Sequence, residues 1–401
     1  MIMTQEKALA LAEKYGTPLY VYDETILRTR CRELANLLPG RNFKVNYSAK
    51  ANTNLELLKI VREEGLLVDA MSPGEIYIEE LAGFKPSEIF YIGNNVSVEE
   101  MKYAVDRGIL VSVDSLSQLE SFGQNFPGQR VAIRFNSGVG AGHHEKVVTG
   151  GKKTKFAVQK EYVPEVKAML KKYDLKLVGI NQHIGSFFLR PDEYGDGAKA
   201  LLDIVKQFPG LSFVDFGGGF GIPYEETHRL DLKVMADMLD TILDEFLAEY
   251  DNKNIMFKIE PGRYIVAESS ALLGRIHSIK DNYGRRYVGT DIGFNVIMRP
   301  VLYNSYHHID VAKKHDTEEC EIAYVCGNIC ESGDLLAKER MMKKAEVGDV
   351  VVMKDTGAYG FAMASNYNCR LRPAEVLIDT EGNDRLIRER ETMEDLVRHF
   401  V

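Results

Sequence analysis

Short apolar runs alternate with amphipathic stretches through the first two thirds of the chain, and this alternation restricts the fold more than any other feature. It is typical of α/β proteins, because a strand, a helix and a second parallel strand pack together as one unit. The helix-like stretches include residues 74–82, 98–107, 163–172, 194–207 and 232–250. The strand-like runs are residues 43–47, 66–70, 89–92, 110–113, 131–135, 177–181, 213–216 and 255–259.

Eight strand-like runs in one alternating series predict a (β/α)8 barrel of the TIM type. An open, doubly wound sheet alternates in the same way, and periodicity does not exclude it. Two observations favour the barrel. No run is followed by a G-x-G-x-x-G turn, and polar residues and glycines stand at the ends of many runs, as they do at the carboxyl-terminal rim of a barrel.

The pattern changes after Glu268, where β-type runs separated by turns replace the helices. We therefore predict an α/β barrel over residues 27–268. Residues 1–26 and 269–401 are predicted to form a second, mainly β domain that resembles a small barrel or sandwich. The N-terminal segment is predicted to contain a helix (5–14), a strand (18–22) and a second helix (24–38). The later β runs are 272–279, 286–289, 321–325, 350–353 and 374–377.

Charge and cysteine content exclude several classes of protein. The chain has 50 lysines and arginines against 59 aspartates and glutamates, a net charge of −9, which argues against nucleic-acid binding. It has no membrane-length apolar run and no visible signal peptide. Its five cysteines lack CxxC spacing, so we expect neither a disulfide nor a zinc site and predict a cytoplasmic protein. The glycine-rich, basic segment 138–155 is predicted to be a mobile loop on the barrel rim.

Lys50 stands directly after the first barrel strand, in the heptapeptide 46–52. A surface lysine in a βα loop is the simplest interpretation. The alternative is that its amine binds an aldehyde cofactor covalently.

Other strand ends supply groups that fit such a cofactor. His183 is either a core histidine or a flat ring stacked on the cofactor, and Ser186 can donate to a phosphate. The glycines of 217–221 form either a tight turn or a phosphate-binding nest. Glu260 either pairs with Arg263 or faces a pyridine nitrogen and keeps it protonated. An amine, a flat ring, a phosphate nest and a carboxylate on one rim together predict pyridoxal phosphate.

The second domain adds residues suited to an amino-acid substrate. Cys330 is either a buried thiol or a proton donor at carbon. Glu331 can bind an ammonium group, and Arg263 and Arg299 can bind a carboxylate bidentately. Asp334 has the alternative of a local cap.

These motifs resemble the pyridoxal-phosphate decarboxylases of the alanine-racemase-like fold, over residues 17–376. The Arg299 and Glu331 motifs distinguish the chain from the ornithine-type enzymes. The resemblance rests on Tyr47-Ser48-Ala49-Lys50-Ala51-Asn52, Gly93-Asn94-Asn95, His183-Ile184-Gly185-Ser186, Gly217-Gly218-Gly219-Phe220-Gly221, Glu260-Pro261-Gly262-Arg263, residues 299–303, Cys330-Glu331-Ser332-Gly333-Asp334, and Gly357-Ala358-Tyr359-Gly360 followed by Ser365-Asn366-Tyr367-Asn368.

The resemblance implies a role for each of these residues. The expected catalytic set is Lys50, Cys330, Glu260 and His183, with Cys330 or Lys50 returning a proton to Cα. The expected cofactor contacts are a covalent link to Lys50, stacking by His183, phosphate binding by Ser186, Gly218 and Gly219, a ring-nitrogen contact from Glu260, and a contact from Tyr359 to the phosphate or the substrate. The expected substrate contacts are Arg263, Arg299 and Tyr303 on a distal carboxylate, Glu331 on its ammonium, and Tyr359.

The implied protein is a head-to-tail homodimer whose Cys330-Glu331 segment completes the partner's site. The implied reaction, the last step of lysine biosynthesis, converts meso-2,6-diaminopimelate to L-lysine and CO2, with no metal. The chain departs from the family's pattern at Phe187-Phe188, at Tyr264 and at residues 154–157. Decarboxylation of another basic or D-amino acid (D-lysine, D-ornithine) therefore stays open, followed by an amino-acid racemase and a non-catalytic cofactor carrier.

Overall fold

The computed structural model describes residues 3–139, 141–142, 154–225, 228–314 and 318–401. The chain divides into two compact units. The described residues of 1–29, 224–227 and 265–401 form one, here called the β unit. Those of 30–223 and 228–264 form the other, here called the barrel unit.

Strands and helices are numbered along the chain within the described residues. The strands are β1 (Leu19–Asp23), β2 (Phe43–Ser48), β3 (Leu67–Ala70), β4 (Ile89–Tyr91), β5 (Leu110–Val113), β6 (Arg130–Asn136), β7 (Ala141–Gly142), β8 (Val158–Gln159), β9 (Lys176–Asn181), β10 (Gly185–Ser186), β11 (Phe213–Asp215), β12 (Met256–Ile259), β13 (Ser270–Asn282), β14 (Arg285–Thr290), β15 (Ile309–Ala312), β16 (Cys320–Cys326), β17 (Leu335–Lys343), β18 (Val350–Lys354), β19 (Ala374–Ile378) and β20 (Asp384–Arg388). The α-helices are α1 (Gln5–Tyr15), α2 (Glu24–Ala35), α3 (Leu55–Glu63), α4 (Pro73–Leu81), α5 (Val98–Val105), α6 (Leu116–Asn125), α7 (Val163–Lys172), α8 (Pro191–Val205), α9 (Leu232–Glu249), α10 (Arg263–Val266), α11 (Arg299–Tyr303) and α12 (Met393–Val397).

The sheet of the barrel unit closes on itself. Its strands are hydrogen-bonded in the order β5-β4-β3-β2-β12-β11-β9-β6, and β5 also pairs with β6. All of these pairings are parallel, and Ser112 opposite Ala132 marks the β5–β6 junction. An open sheet would leave β5 and β6 as edges, so the predicted (β/α)8 barrel is confirmed and the doubly wound alternative is wrong.

Polar N-caps set the starts of the helices that surround the barrel. Each cap accepts hydrogen bonds from backbone N–H groups that the first helical turn cannot satisfy. The side chains of Asn54, Ser72, Ser97 and Ser115 each accept one such bond, and Asp231 accepts two. Each cap contributes about 1 kcal/mol of stability. The caps also end the loops at defined residues, so the strand ends that precede them lie at one rim.

The β unit is built on a sheet in the order β17-β16-β14-β13-β1-β19-β20. Two further strands lie off this path: β18 pairs with β13, and β15 pairs with β18. The N-terminal strand β1 lies inside this sheet, antiparallel to β13 and parallel to β19. Helix α1 covers one face through a cluster that includes Leu11, Leu19, Leu273 and Val376. Strand β1 and helix α1 are therefore part of the β unit.

Sequence patterns missed three strands of the β unit, β15, β17 and β20. Strands β17 and β20 are the two ends of the sheet path, and both carry several charged side chains. Edge strands of this kind lack the alternating apolar pattern from which strands are recognised. The helix predicted over 24–38 ends at Ala35.

Most of the predicted rim loop, 138–155, lies outside the described residues. No helix in the described part of the chain is long and apolar enough to cross a membrane. Among the described residues, no group of three or more His, Cys, Asp or Glu side chains is arranged to hold a metal ion. All five cysteines are free thiols.

Candidate active site

Lys50 lies at the carboxyl-terminal rim of the barrel. It occupies a short 3-10 turn directly after β2, between Ala49 and Ala51, which are both completely buried. The lysine side chain itself is exposed. Buried neighbours hold the backbone of the turn, while the amine remains accessible at the mouth of the barrel.

Two buried carboxyl groups lie within electrostatic range of the Lys50 ammonium. Burial raises the pKa of Asp69, the third residue of β3, to about 8, and Lys50 lowers it. Burial also raises the pKa of Glu75, while the Met71 N–H, which donates to its carboxylate at 2.6 Å, and Lys50 lower it. The positive charge of Lys50 therefore acts on one carboxyl group of β3 and one of α4.

His183 follows β9 and is held as a neutral ring. Burial lowers the pKa of His183 well below its usual value, and the positive charges of Lys50 and Arg134 lower it further. Its Nδ1 atom accepts a hydrogen bond from the Gly218 N–H at 3.2 Å. A nitrogen that accepts carries no proton, so the proton of the neutral ring is on Nε2.

The glycine turn after β11 brings three strand ends into close contact. A Cβ atom at Gly217, where φ is +76°, would lie 2.2 Å from the Gln182 carbonyl oxygen. A Cβ atom at Gly218 would lie 2.0 Å from the Glu260 carbonyl oxygen. Backbone packing therefore requires these two glycines whether or not a phosphate binds. The Gly218 N–H, predicted to bind phosphate, donates to His183 in this structure.

Glu260 follows β12 and offers an unused buried acceptor. Its side chain is 7% exposed, and its backbone N–H donates to the Gly217 carbonyl at 3.0 Å. Its Oε1 atom has no hydrogen-bond partner among the described residues. Burial raises the pKa of Glu260 well above its usual value, Asp215 and Asp69 raise it further, and Lys50 and Arg134 lower it. A buried oxygen without a donor fits the N–H of a protonated pyridine ring.

Sequence reasoning missed four charged residues that act on this rim: Asp69, Arg134, Asp215 and Lys258. Arg134 changes the pKa of both His183 and Glu260, and Asp215 that of Glu260. Each of the four stands inside or at the end of an otherwise apolar strand. A charged residue in such a position is the sequence signal that could have identified these four residues, because a buried strand excludes charges unless they have a partner.

Arg299 begins helix α11 of the β unit and is 2% exposed. Its Nη1 atom donates to His307 Nε2 at 2.7 Å, and its guanidinium lies 4.7 Å from the centre of the Tyr224 ring. The other nitrogen of His307, Nδ1, lies 2.9 Å from the Lys354 carbonyl oxygen. A carbonyl only accepts, so Nδ1 carries the proton and Nε2 is free to accept from Arg299. The guanidinium is thus fixed in orientation by a neutral histidine.

The remaining predicted residues of the β unit differ in exposure. Tyr303 and Tyr359 are half-buried, whereas Cys330 and Glu331 are exposed. The Cys330 N–H donates to the Asn368 side chain at 2.8 Å. Asp334 accepts the N–H of Ile329, five residues before it, and the N–H of Phe294, which is 40 residues away, each at 2.8 Å. The bond from Ile329 is local, as its alternative role requires, whereas the bond from Phe294 ties the loop to a distant segment.

The predicted residues therefore divide between the two units. The barrel unit brings the cofactor set to one rim, with Lys50, His183, Ser186, Gly218, Gly219, Glu260 and Arg263 at or near the ends of β2, β9, β11 and β12. The β unit holds Arg299, Tyr303, Cys330, Glu331 and Tyr359.

Two departures from the family's pattern have packing roles in the barrel unit. Phe188 is 2% exposed, and its N–H donates to the Gly219 carbonyl at 2.8 Å. Tyr264 is 1% exposed and donates to the Glu33 carboxylate at 2.9 Å. The side chains of Phe188 and Tyr264 are therefore part of the packed interior of the barrel unit.

One barrel rim carries an exposed amine, a neutral ring, a glycine turn and an unused carboxyl oxygen. This combination defines a class of protein: barrels that bind pyridoxal phosphate. A sequence model described as "pyridoxal-dependent decarboxylase, pyridoxal binding domain" matches residues 24–267. The chain belongs to this family of decarboxylases, within the branch of the diaminopimelate decarboxylases, and its cofactor is pyridoxal phosphate.

Relatives and solved structures agree with that assignment. Diaminopimelate decarboxylase of Methanothermobacter thermautotrophicus is 46% identical over 400 residues, covering 98% of this chain and 93% of the relative. A crystal structure of diaminopimelate decarboxylase superposes with a TM-score of 0.91 at 32% identity, covering 99% and 96% of the two chains. The Helicobacter pylori enzyme in complex with L-lysine gives 0.89 at 32% identity, covering 97% and 98%.

Proposed function

We propose that this protein decarboxylates meso-2,6-diaminopimelate to L-lysine and CO2, the last step of lysine biosynthesis. The observation that carries the proposal is Arg299, a buried guanidinium oriented by His307 and Tyr224. A planar guanidinium held in one orientation is suited to bidentate binding of a carboxylate. A substrate with a second, distal carboxylate uses such a group, whereas lysine and ornithine do not.

The barrel rim has a group for each part of the cofactor. Lys50 holds the aldehyde carbon, His183 packs on the ring face, Ser186 and the 217–219 turn bind the phosphate, and Glu260 accepts the N–H of the ring nitrogen. Bound pyridoxal phosphate supplies an electron sink for the electron pair that remains when the α-carboxylate leaves as CO2. Because His183 is neutral, it adds no positive charge beside the protonated ring.

The β unit is proposed to select the substrate and to return the proton. Arg299 and Tyr303, with Arg263 of the barrel unit, bind the distal carboxylate, and Glu331 binds the distal ammonium. Tyr359 contacts the phosphate or the substrate. Either Cys330, through its Sγ atom, or Lys50, through its Nζ atom, gives a proton to Cα after CO2 has left. A group on each side of Cα leaves room for only one productive orientation of the substrate.

The functional form is proposed to be a homodimer in which the Cys330-Glu331 segment of one protomer completes the site of its partner. Both residues are exposed on a short loop whose shape is held by Asp334. An exposed proton donor needs a second surface to exclude water from the reaction. A cytoplasmic location is also proposed, because Cys320, Cys330 and Cys369 are exposed free thiols that suit a reducing compartment.

Mixing two inactive variants tests the shared site. Lys50→Ala and the double variant Cys330→Ala/Glu331→Ala are each expected to be inactive, because the first lacks the amine that holds the cofactor and the second lacks both groups that the Cys330-Glu331 segment gives to every site. After dissociation and re-mixing in equal amounts, half of the dimers carry one of each, with one intact site out of two. About a quarter of wild-type activity should therefore return. No recovery in a verified mixed dimer contradicts the shared site, and a monomeric mass in solution contradicts the dimer.

A direct assay tests the reaction. Incubating the purified protein and pyridoxal phosphate with meso-2,6-diaminopimelate should release CO2 and L-lysine in equal amounts. A panel of L-lysine, D-lysine and D-ornithine tests the alternative substrates, and faster CO2 release from one of them would replace diaminopimelate. Racemisation without CO2 would indicate a racemase, and no turnover with any amino acid would indicate a cofactor carrier.

A further inference from the structure

Four side chains of two adjacent strands face the inside of the barrel. Strands β11 and β12 are parallel, with Asp215 opposite Lys258. Side chains alternate along a strand, so Phe213 and Asp215 share one face, and Lys258 and Glu260 share the same face of the neighbouring strand. Phe213 packs against Phe90 in the interior cluster, which identifies this face as the inner one.

The residue just before Lys258 confirms the direction. Phe257 points outward, where its ring lies 6.1 Å from that of Phe216 and 6.2 Å from that of Phe246 on helix α9. Lys258 therefore points into the barrel, below Glu260. The buried Glu260 carboxyl at the rim therefore has Lys258 below it on the same strand and Asp215 beside it on the neighbouring strand, β11.

No residue in the described part of the chain forms a hydrogen-bonded ion pair with Lys258, whose ammonium group packs against aromatic rings. Its Nζ atom lies 4.6 Å from the centre of the Phe213 ring and 5.4 Å from that of Phe90, positions in which aromatic faces stabilise an ammonium. Burial lowers the pKa of Lys258, whereas Asp215 and then Glu260 raise it. Of the two carboxyl groups, Asp215 raises the pKa of Lys258 more than Glu260 does.

Asp215 has one backbone donor, and its Oδ2 atom has no hydrogen-bond partner among the described residues. It is completely buried, and its Oδ1 atom accepts the Gly217 N–H at 2.9 Å. Burial raises the pKa of Asp215 to about 6, and Lys258, the Gly217 N–H and a hydrogen bond with Glu260 lower it. A hydrogen bond between two carboxyl groups requires one proton, and Glu260, with its strongly raised pKa, is the group that keeps it.

Charge balance follows from these three groups. With Lys258 positive, Asp215 negative and Glu260 protonated, the interior is neutral, as a low-dielectric environment favours. The other groups that face Glu260 are Asp69 from β3, Lys50 from the turn after β2, Arg134 from β6, and Tyr194 from α8, whose hydroxyl donates to the Gly217 carbonyl at 2.9 Å. Among these charged neighbours, Asp215 raises the pKa of Glu260 most, Asp69 raises it less, and Lys50 and Arg134 lower it.

We propose that Asp215 is a positioning residue that serves as the counter-ion of Lys258, so that Glu260 stays protonated in the cofactor-free barrel and can give its proton to the ring nitrogen of pyridoxal phosphate. The O–H bond of Glu260 breaks, an N–H bond forms on the ring, and the resulting carboxylate accepts that N–H. No proton is taken from solvent. The transfer step rests on the proposed role of Glu260, whereas the protonation of Glu260 in the empty barrel does not.

Asp215→Asn tests the counter-ion role in the cofactor-free protein. With Asp215 neutral, Glu260 becomes the only carboxyl on this face available to balance Lys258, and it should ionise. Infrared difference spectra measure this change directly, with Glu260→Gln as the reference that lacks the Glu260 carboxyl. At neutral pH we expect the protonated fraction of Glu260 to fall by about tenfold or more. Asp237→Asn, on the exposed face of α9, is the control.

The double variant Asp215→Asn/Lys258→Met separates the charge argument from a packing effect. Removing both charges takes away the buried lysine that an ionised Glu260 would balance, so its protonated signal should return, which a purely structural role of Asp215 does not predict. Lys258→Met alone should retain the signal, and it keeps the test decisive if Asp215→Asn fails to fold. An ionised Glu260 in the wild-type protein, or no recovery in the double variant, overturns the proposal.

A second readout distinguishes a failure of this inference from a failure of the proposed function. Nitrogen-15 NMR of ring-labelled pyridoxal phosphate bound to each variant reports whether the ring nitrogen is protonated. We expect a protonated nitrogen in the wild type and the double variant, and at least a several-fold smaller protonated fraction in Asp215→Asn. If the infrared results hold and the ring nitrogen does not respond, Asp215 controls Glu260 but Glu260 does not face the ring.

Discussion

Replacing Lys50 by alanine should abolish the visible absorbance of the bound cofactor and lower turnover by on the order of 10⁴-fold or more. Lys50 provides the amine at the mouth of the barrel that is proposed to hold the aldehyde carbon. Alanine removes that amine while Ala49 and Ala51 continue to hold the turn. Absorbance spectra of the purified variant and CO2 release from meso-2,6-diaminopimelate measure the two effects.

Lys44→Ala is the matched control, because Lys44 is an exposed lysine on the same strand, β2. It should bind the cofactor and turn over substrate as the wild type does. Thermal melting of Lys50→Ala separates lost chemistry from lost folding. A folded Lys50→Ala variant with substantial activity would rule out the proposed covalent role.

Replacing Arg299 by lysine should lower kcat/KM for meso-2,6-diaminopimelate by roughly 10²- to 10³-fold, the effect expected when one partner of a buried charge pair is mismatched. Lysine keeps the charge but cannot form two parallel hydrogen bonds to a carboxylate. It also cannot reproduce the bond from the guanidinium to His307. Steady-state kinetics with meso-2,6-diaminopimelate and with D-lysine, which lacks the distal carboxylate, give the comparison.

The loss should be confined to the substrate with the distal carboxylate, since only that substrate uses the guanidinium. Arg285→Lys, at an exposed arginine of strand β14, is the control and should leave both substrates unaffected. Unchanged kinetics in Arg299→Lys would show that diaminopimelate is the wrong substrate and would favour a basic amino acid without that group.

Much of the fold could be predicted from local sequence patterns. The eight apolar runs lie within a few residues of the eight barrel strands, because each run reflects burial on both faces of a parallel sheet, a property of the segment itself. Lys50, His183 and Glu260 could be predicted as rim residues for a related reason. Each directly follows such a run, and in a barrel every run ends at the same rim.

Other features depend on partners that are distant in sequence. Strand β1 lies between β13 and β19, more than 200 residues away, which no local period indicates. Gly218 is required because the Glu260 carbonyl approaches it closely, a reason that the glycine-rich turn alone does not reveal. The neutral form of His307 follows from the two atoms on either side of its ring.

Sequence by itself determined the strand and helix periods, the change from α/β to β architecture, and the set of residue types able to hold pyridoxal phosphate. These are local properties of burial pattern and chemistry. Tertiary structure alone decided that β5 pairs with β6 to close the ring, that Arg299 is held by His307, and that Asp215, Lys258 and Glu260 face one interior. Strand pairing and the balance of buried charges depend on distances between segments far apart in the chain, and only folding sets those distances.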